Sequence, residues 1–236
     1  MNKTTLTLAL GIATVAVSAI AAVGSGYTLF GSASYVMPGN ASNRAVKLVS
    51  NANAGTFSGV DYAVPANLTI NNLNMLSTDY NFTAGSCSLG SPRFGIVLSG
   101  SPNSAIFVYI GPPPNYQGCA PNVWTNTGNL LTPSSFVDAT QLGGAFYEPW
   151  AAAQAQFSGQ QVIDIFIVSD NGPGPSFSQT VLIDNTNVNG TLYTYEPTSK
   201  DDCKDGGWQN FTFSPGPFKN QGQCVSFFAS DGHGNH

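Results

Sequence analysis

The chain has 236 residues, of which 42% are hydrophobic and only 8% charged, against about 25% charged in an average globular protein. That length and apolar content allow one large packed domain or two small ones, and they exclude the high-charge route to disorder. With seven Lys/Arg against twelve Asp/Glu and a net charge of −5, the surface cannot neutralise a row of phosphates, which excludes nucleic acid and anionic membrane as partners.

In chain order, residues 1–23 predict a signal peptide. Lys3 precedes the apolar run LTLALGIATVAVSAIAAV, and Ala19-Ile20-Ala21 offers small residues for a cleavage expected near 21–26. Left uncut, the run would give a membrane-tethered version of the same protein, because it nears the roughly 18-residue minimum of a spanning helix. Its many Ala, Thr and Gly residues and weak positive flank favour cleavage, which removes Lys3 and makes the mature chain one unit more negative. No later segment is long and apolar enough to span a bilayer. The four cysteines all follow the signal and fit an oxidising compartment, so the protein is expected to be secreted.

Residues 24–196 read as one β domain. Short apolar stretches recur between Gly, Pro, Asn and Ser clusters: AVKLVS (45–50), PRFGIVLS (92–99), AIFVYIG (105–111), VIDIFIVSD (162–170), QTVLID (179–184) and TLYTY (191–195). Phe94, Ile96 and Leu98 alternate with Arg93, Gly95 and Val97, the period of a strand. In AIFVYIG, Ile106, Val108 and Ile110 take one face and Phe107 and Tyr109 the other, so that strand lies inside a sandwich or beneath a covering loop. Spacing and turn chemistry predict an antiparallel β-sandwich. One helix interrupts it, near 149–157, with Pro149 at the first helical position and Trp150, Ala153 and Phe157 on one face.

Residues 197–228 predict a small cassette, followed by a polar tail over 229–236. Ser199 and Asp202 resemble a capping box opening a short helix, which Gly206-Gly207 would end, and FKNQGQCVSFF (218–228) predicts a second. Four cysteines permit three pairings, and the nearest in sequence are Cys87–Cys119 and Cys203–Cys224. Bridges closing such loops stabilise by about 3–4 kcal/mol each in the loop-entropy account. A zinc or redox role would want a C-x-x-C pair or nearby histidines, and the only histidines are His233 and His236 in the tail. A bond from Cys203 to Cys224 would let Trp208, Phe211, Phe213 and Phe218 cover one end of the sandwich.

Two resemblances sharpen this outline. Residues 143–195, running from short helix through apolar strand and Gly/Pro hairpin to VLIDN, resemble the last strands of jelly-roll sandwiches used in carbohydrate-binding modules. The stretch CKDGGWQNF…FKNQGQCVSFF is similar to a C-terminal motif of secreted bacterial proteins of unassigned function, and LSTDYNFTAGSC…IFVYIGPPPNYQGCAPNVW looks like part of the same group. The first implies a jelly-roll architecture; the second implies export and a disulfide-closed end, and no activity.

The chemistry expected is sparse. A Ser-His-Asp or Cys-His site needs a positioned imidazole, and both histidines follow the fold, so no catalytic residue is assigned. No phosphate loop or dinucleotide fingerprint is present. Paired carboxylates are the route left open to a glycan hydrolase or lyase, with Asp164, Glu148 and Asp138 as candidates. No metal site is expected, although SDNGPG (169–174) leaves room for an isolated structural calcium. The aromatic residues carry the strongest signal. Tyr109, Tyr116 and Trp124 flank a Pro-rich loop tied at Cys119, and Tyr147 and Trp150 flank Glu148. Rigid rings on a pinned loop lose little entropy on binding. These five predict a glycan-binding surface on a secreted, non-enzymatic module.

Overall fold

In the computed structural model, residues 26–88, 90–170 and 178–230 are described; the expected signal peptide, the last four residues of the SDNGPG stretch and the end of the tail lie outside them. The strands, in order, are β1 (Tyr27–Gly31), β2 (Ser34–Val36), β3 (Ala45–Asn51), β4 (Ser58–Tyr62), β5 (Leu76–Ala84), β6 (Arg93–Leu98) and β7 (Ser101–Tyr109). They continue with β8 (Thr125–Asn126), β9 (Phe136–Val137), β10 (Glu148–Pro149), β11 (Val162–Ser169), β12 (Ser178–Val188) and β13 (Thr191–Tyr193). Two α-helices accompany them, α1 (Trp150–Gln156) and α2 (Gln221–Ala229).

Two antiparallel sheets form the expected jelly-roll-like sandwich. One has the order β1-β4-β11-β6-β7, the other β2-β3-β12-β5-β8 with β13 added on β12. The late strands β11 and β12 each insert into the middle of one sheet, so the chain closes both layers only near its end. Alternation sets the faces. Phe94, Ile96 and Leu98 of β6 and Ile106 and Val108 of β7 point inward, meeting Val46 and Leu48 of β3, Phe82 of β5 and Val181 and Ile183 of β12. The β12–β13 turn is Asn189-Gly190, both at positive φ (49° and 96°), the two-residue hairpin that an Asn-Gly pair favours.

On the outer face of the first sheet, two glycines sit beneath rings from directly paired positions. A Cβ on Gly59 would lie 2.2 Å from the Phe30 ring, and one on Gly95 would lie 2.2 Å from the Phe166 ring. Asp164 points out on this face, beside Phe166. Its charged neighbour is Asp61 on β4 and, among the described residues, it has no ion pair with Arg44, Lys47 or Arg93. Arg44 pairs instead with Asp202, and Arg93 with Asp170.

Helix α1 buries Trp150, Ala153 and Phe157 as its spacing predicts, with Pro149 as the residue before the first turn. Both disulfides pair as nearest neighbours, Cys87–Cys119 and Cys203–Cys224. The cassette opens on a capping box, Ser199 with Asp202, over a 3₁₀ turn at Lys200–Cys203. Its aromatics do not cap the sandwich. Phe211 and Phe218 bury against Cys203 and Cys224 in a second core of their own, with Trp208, Phe227 and Phe228 around it, while Phe213 stays 40% exposed. Polar bonds join this unit to the sheets: Asn43 donates to the Ser214 carbonyl and accepts the Phe213 N–H, and Arg44 pairs with Asp202.

Candidate functional site

The loop after β7 runs across the end of the sandwich from the edge of one sheet to β8 at the edge of the other. The Cys87–Cys119 bond pins it, and Gly111 passes so close that a Cβ there would lie 3.0 Å from Cys87 Sγ. Tyr116 donates its N–H to the Pro112 carbonyl (2.9 Å), which folds the Pro-rich stretch back over β7. A second loop comes from the other direction. Asp138 pairs its backbone with Phe107, extending the first sheet by one position, and the chain then turns through Thr140–Leu142 before returning along β10.

The two loops bring four rings together. Tyr109 packs edge-on against Tyr116 (centroids 5.6 Å apart) and Tyr147 (5.9 Å), Tyr116 stacks on Tyr147 (6.0 Å, 29°), and Phe146 lies 4.1 Å from Tyr147. The cluster is layered. Tyr109 and Tyr116 are buried at 8% exposure, Tyr147 is half-buried, and Phe146 is 56% exposed. Phe136, on β9 two residues before Asp138, is also open at 47%.

Asp138 is the polar anchor of the floor. Its Oδ2 accepts the Tyr109 hydroxyl (2.6 Å), and its Oδ1 accepts the Thr140 N–H (3.0 Å) and Oγ1–H (2.6 Å). Burial, and then the Asp138 hydrogen bond, hold the Tyr109 phenol well above its usual range. Burial likewise raises Tyr116 and Tyr147. All three rings therefore stay uncharged at physiological pH, and the half-buried Tyr147 offers part of an apolar face at the surface.

Of the five predicted binding residues, the structure unites Tyr109, Tyr116 and Tyr147, with Tyr109 and Tyr116 lying under the surface layer. Trp150 belongs to the core at 1% exposure, because α1 turns its apolar face to the sheets. Trp124 is half-buried next to β8, on the far sheet, and its ring is not part of the cluster. Sequence reasoning missed Phe146, the most exposed ring, and Asp138 as the anchor of Tyr109. The FY pair at 146–147 was the available signal for the first; nothing local signals the second.

Of the three candidate carboxylates, Glu148 is paired in register with Val137, next to Asp138 in the chain, while Asp164 stands apart. Asp164 is separated from Asp138 by three strand steps, about 14 Å at the usual spacing, and Glu148 accepts the Ala145 N–H of its own loop (3.3 Å). Asp61 and Asp164 are diagonal neighbours across β4 and β11, about 7 Å apart by ladder geometry. Burial, with Asp164 as the nearby charge, pushes Asp61 up to about 6. Among the described residues no three His, Cys, Asp or Glu side chains come together as metal ligands, and no helix is long and apolar enough to cross a membrane. Of the stretch considered for calcium, Ser169 is buried against Gln179 and Asp170 is paired with Arg93, while residues 171–174 lie outside the described residues. No family model, no curated protein and no solved structure matches the chain.

Proposed function

We propose that the protein is an exported, non-enzymatic binding module that holds glycan on the Phe146–Tyr147 surface. One observation carries the reading: two surface rings stand on a buried floor of two further rings, and that floor is fixed by a carboxylate and a disulfide-pinned loop. Sugar rings present C–H faces that pack on aromatic faces, while their hydroxyls need partners at the rim such as the Tyr147 hydroxyl. A surface already held in place loses little conformational freedom when it binds. The two disulfides fit an oxidising compartment, and the signal-like N-terminus is the export device in this reading. Mass spectrometry of the exported protein then finds a new N-terminus just after residues 21–26.

Retention of the mature protein on immobilised polysaccharides tests the binding site. Phe146→Ala and Tyr147→Ala each weaken retention by about 10–100-fold, the loss typical of an aromatic anchor, with little change in melting temperature. Absence of retention on every polysaccharide tried, or retention unchanged by both substitutions, ends the reading.

The Asp61–Asp164 pair favours a second reading, a carboxylate-dependent glycan hydrolase, because its spacing lies near the roughly 5–10 Å that two such groups need. In that case Asp61→Asn and Asp164→Asn each abolish reducing-sugar release from a polysaccharide that the wild type degrades. Release that survives both substitutions, or none from the wild type, removes it.

A further inference from the structure

Asp79 on β5 and Asp184 on β12 face each other directly across the antiparallel ladder of the second sheet. They lie on the outer surface of that sheet, yet Asp184 is 0% exposed and Asp79 only 7%. The segment 37–44, which joins β2 to β3, straps over them. Asn40 gives its N–H to Asp184 Oδ2 (2.8 Å) and its side-chain amide to Asp79 Oδ2 (2.8 Å), and Ser42 Oγ lies 2.5 Å from Asp184 Oδ2. From the sheet, Asn185 donates its N–H to Asp184 Oδ1 (2.7 Å) and its amide to Asp79 Oδ2 (2.7 Å), and Asn126 donates to Asp79 Oδ1 (2.6 Å).

The far end of the same strap grips the C-terminal cassette. Asn43 donates its N–H and amide to Glu196 (2.9 and 3.0 Å) and accepts the Phe213 N–H (2.8 Å), while Arg44 reaches Asp202 (3.2 Å) and the Glu196 carbonyl (2.8 Å). Whatever holds the strap on the sheet therefore also holds the cassette on the sandwich.

Like charges opposed in a ladder repel, and burial makes each charge costlier. The charged groups around the pair do not neutralise it. Arg44 is committed to Asp202 and to carbonyls, with its guanidinium over the Tyr35 ring; Lys47 on β3 is paired in register with Leu182, two positions from Asp184; and Glu196 and Asp202 are negative. Among the described residues neither Asp79 nor Asp184 has an ion-pair partner. A proton is the simplest remedy. Protonated Asp184 can donate to Ser42 Oγ, whose own proton then turns to the Arg44 carbonyl 3.4 Å away.

We propose that Asp184 is an acid-set latch: a proton held on its carboxyl, opposite Asp79 and against Ser42, closes the strap 37–44 and secures the cassette, and its loss as the pH rises loosens both. Burial, outweighing the hydrogen bonds from Ser42, Asn40 and Asn185 and reinforced by Glu196, pushes Asp184 up to about 6. A carboxyl raised in the folded state stabilises fully below its ordinary value near 4, and that contribution is lost as the pH rises through about 6. The latch is independent of the glycan reading.

Hydrogen exchange of the full mature protein, corrected for intrinsic rates, tests it at about pH 5 and about pH 7.5. In the wild type, protection over 38–44 and over the cassette is about tenfold greater at the lower pH. Asp184→Asn, a neutral near-isostere, keeps the protected level at both, and Asp79→Asn, which removes the facing charge, shrinks the difference if the first variant does not fold. Asp61→Asn, on the other sheet, leaves the difference intact. Equal protection at both pH values, or a wild-type difference that persists in Asp184→Asn, overturns the latch. So does recovery of full protection at about pH 7.5 on adding calcium alone, because the pair would then hold a cation rather than a proton.

Discussion

Tyr116 and Tyr147 hold left-handed backbone, with φ of 50° and 56°. That region costs an L side chain roughly 1–2 kcal/mol and persists only where surrounding contacts impose it. Here the surrounding contacts are the disulfide-pinned loop for Tyr116 and the Tyr109 and Tyr116 rings for Tyr147. Both rings pack on Tyr109, whose hydroxyl is held by Asp138, so Asp138 is the residue on which the ring cluster turns. Asp138→Ala leaves the buried Tyr109 hydroxyl and the Thr140 N–H without their acceptor, and it lowers stability by about 1–3 kcal/mol in a denaturant melt. The near-UV circular dichroism of the tyrosines weakens with it. Because burial raises all three tyrosines of the cluster above their ordinary value, glycan retention is flat between about pH 6 and 9. A loss of retention across that window would mean that some other ionising group does the binding.

At the scale of elements, two packing devices stand out. On the outer face of the first sheet, Phe30 over Gly59 and Phe166 over Gly95 let rings lie flat on the backbone of a neighbouring strand. Gly95→Ala pushes a methyl into the Phe166 ring and costs about 1–3 kcal/mol. The cost falls when Phe166→Ala is made as well, a less-than-additive pair that a double-mutant cycle in urea reads directly. The second device is the cassette, whose small core surrounds the Cys203–Cys224 bond. Replacing both of these cysteines by Ser removes about 3 kcal/mol from the unit by the loop-entropy account. Since its core is separate from that of the sandwich, the cassette becomes protease-sensitive while the sandwich melts almost unchanged. Concerted loss of both units would show that they share one cooperative core after all. Much of this scale was legible in the sequence. The period of two in β6 and β7 told inner from outer residues, the spacing of Trp150, Ala153 and Phe157 gave the buried face of α1, and Ser199 with Asp202 marked the start of the cassette. What was illegible was where the cassette's rings would go, because a stretch rich in Phe and Gly fits a self-contained core as well as a lid on the sandwich.

The whole molecule is a sandwich completed late, by β11 and β12 entering the centres of the two sheets. That closure creates the buried carboxylates. It sets Asp164 beside Asp61 on one layer and Asp184 against Asp79 on the other. Burial pushes both Asp61 and Asp184 up to about 6, and it raises Asp164. The folded chain therefore holds more protons than the unfolded one between roughly pH 4 and 6, so stability grows on acidification through that range. Scanning calorimetry is expected to show the melting temperature rising from about pH 7.5 to about pH 5, with Asp184→Asn and Asp61→Asn each reducing the rise. A melting temperature highest at or above pH 7 contradicts this.

By itself the sequence determined the β class, the faces of its clearest strands, a helix near 149–157 and the nearest-neighbour disulfides, because each is written in local periodicity, turn residues or cysteine spacing. Only the tertiary structure decided which rings meet, that Trp150 is core while Phe146 is surface, and which carboxylates are neighbours. Those facts depend on strand order and on loops crossing between sheets, and strand order joins residues far apart in the chain whose local sequence carries no mark of the partner.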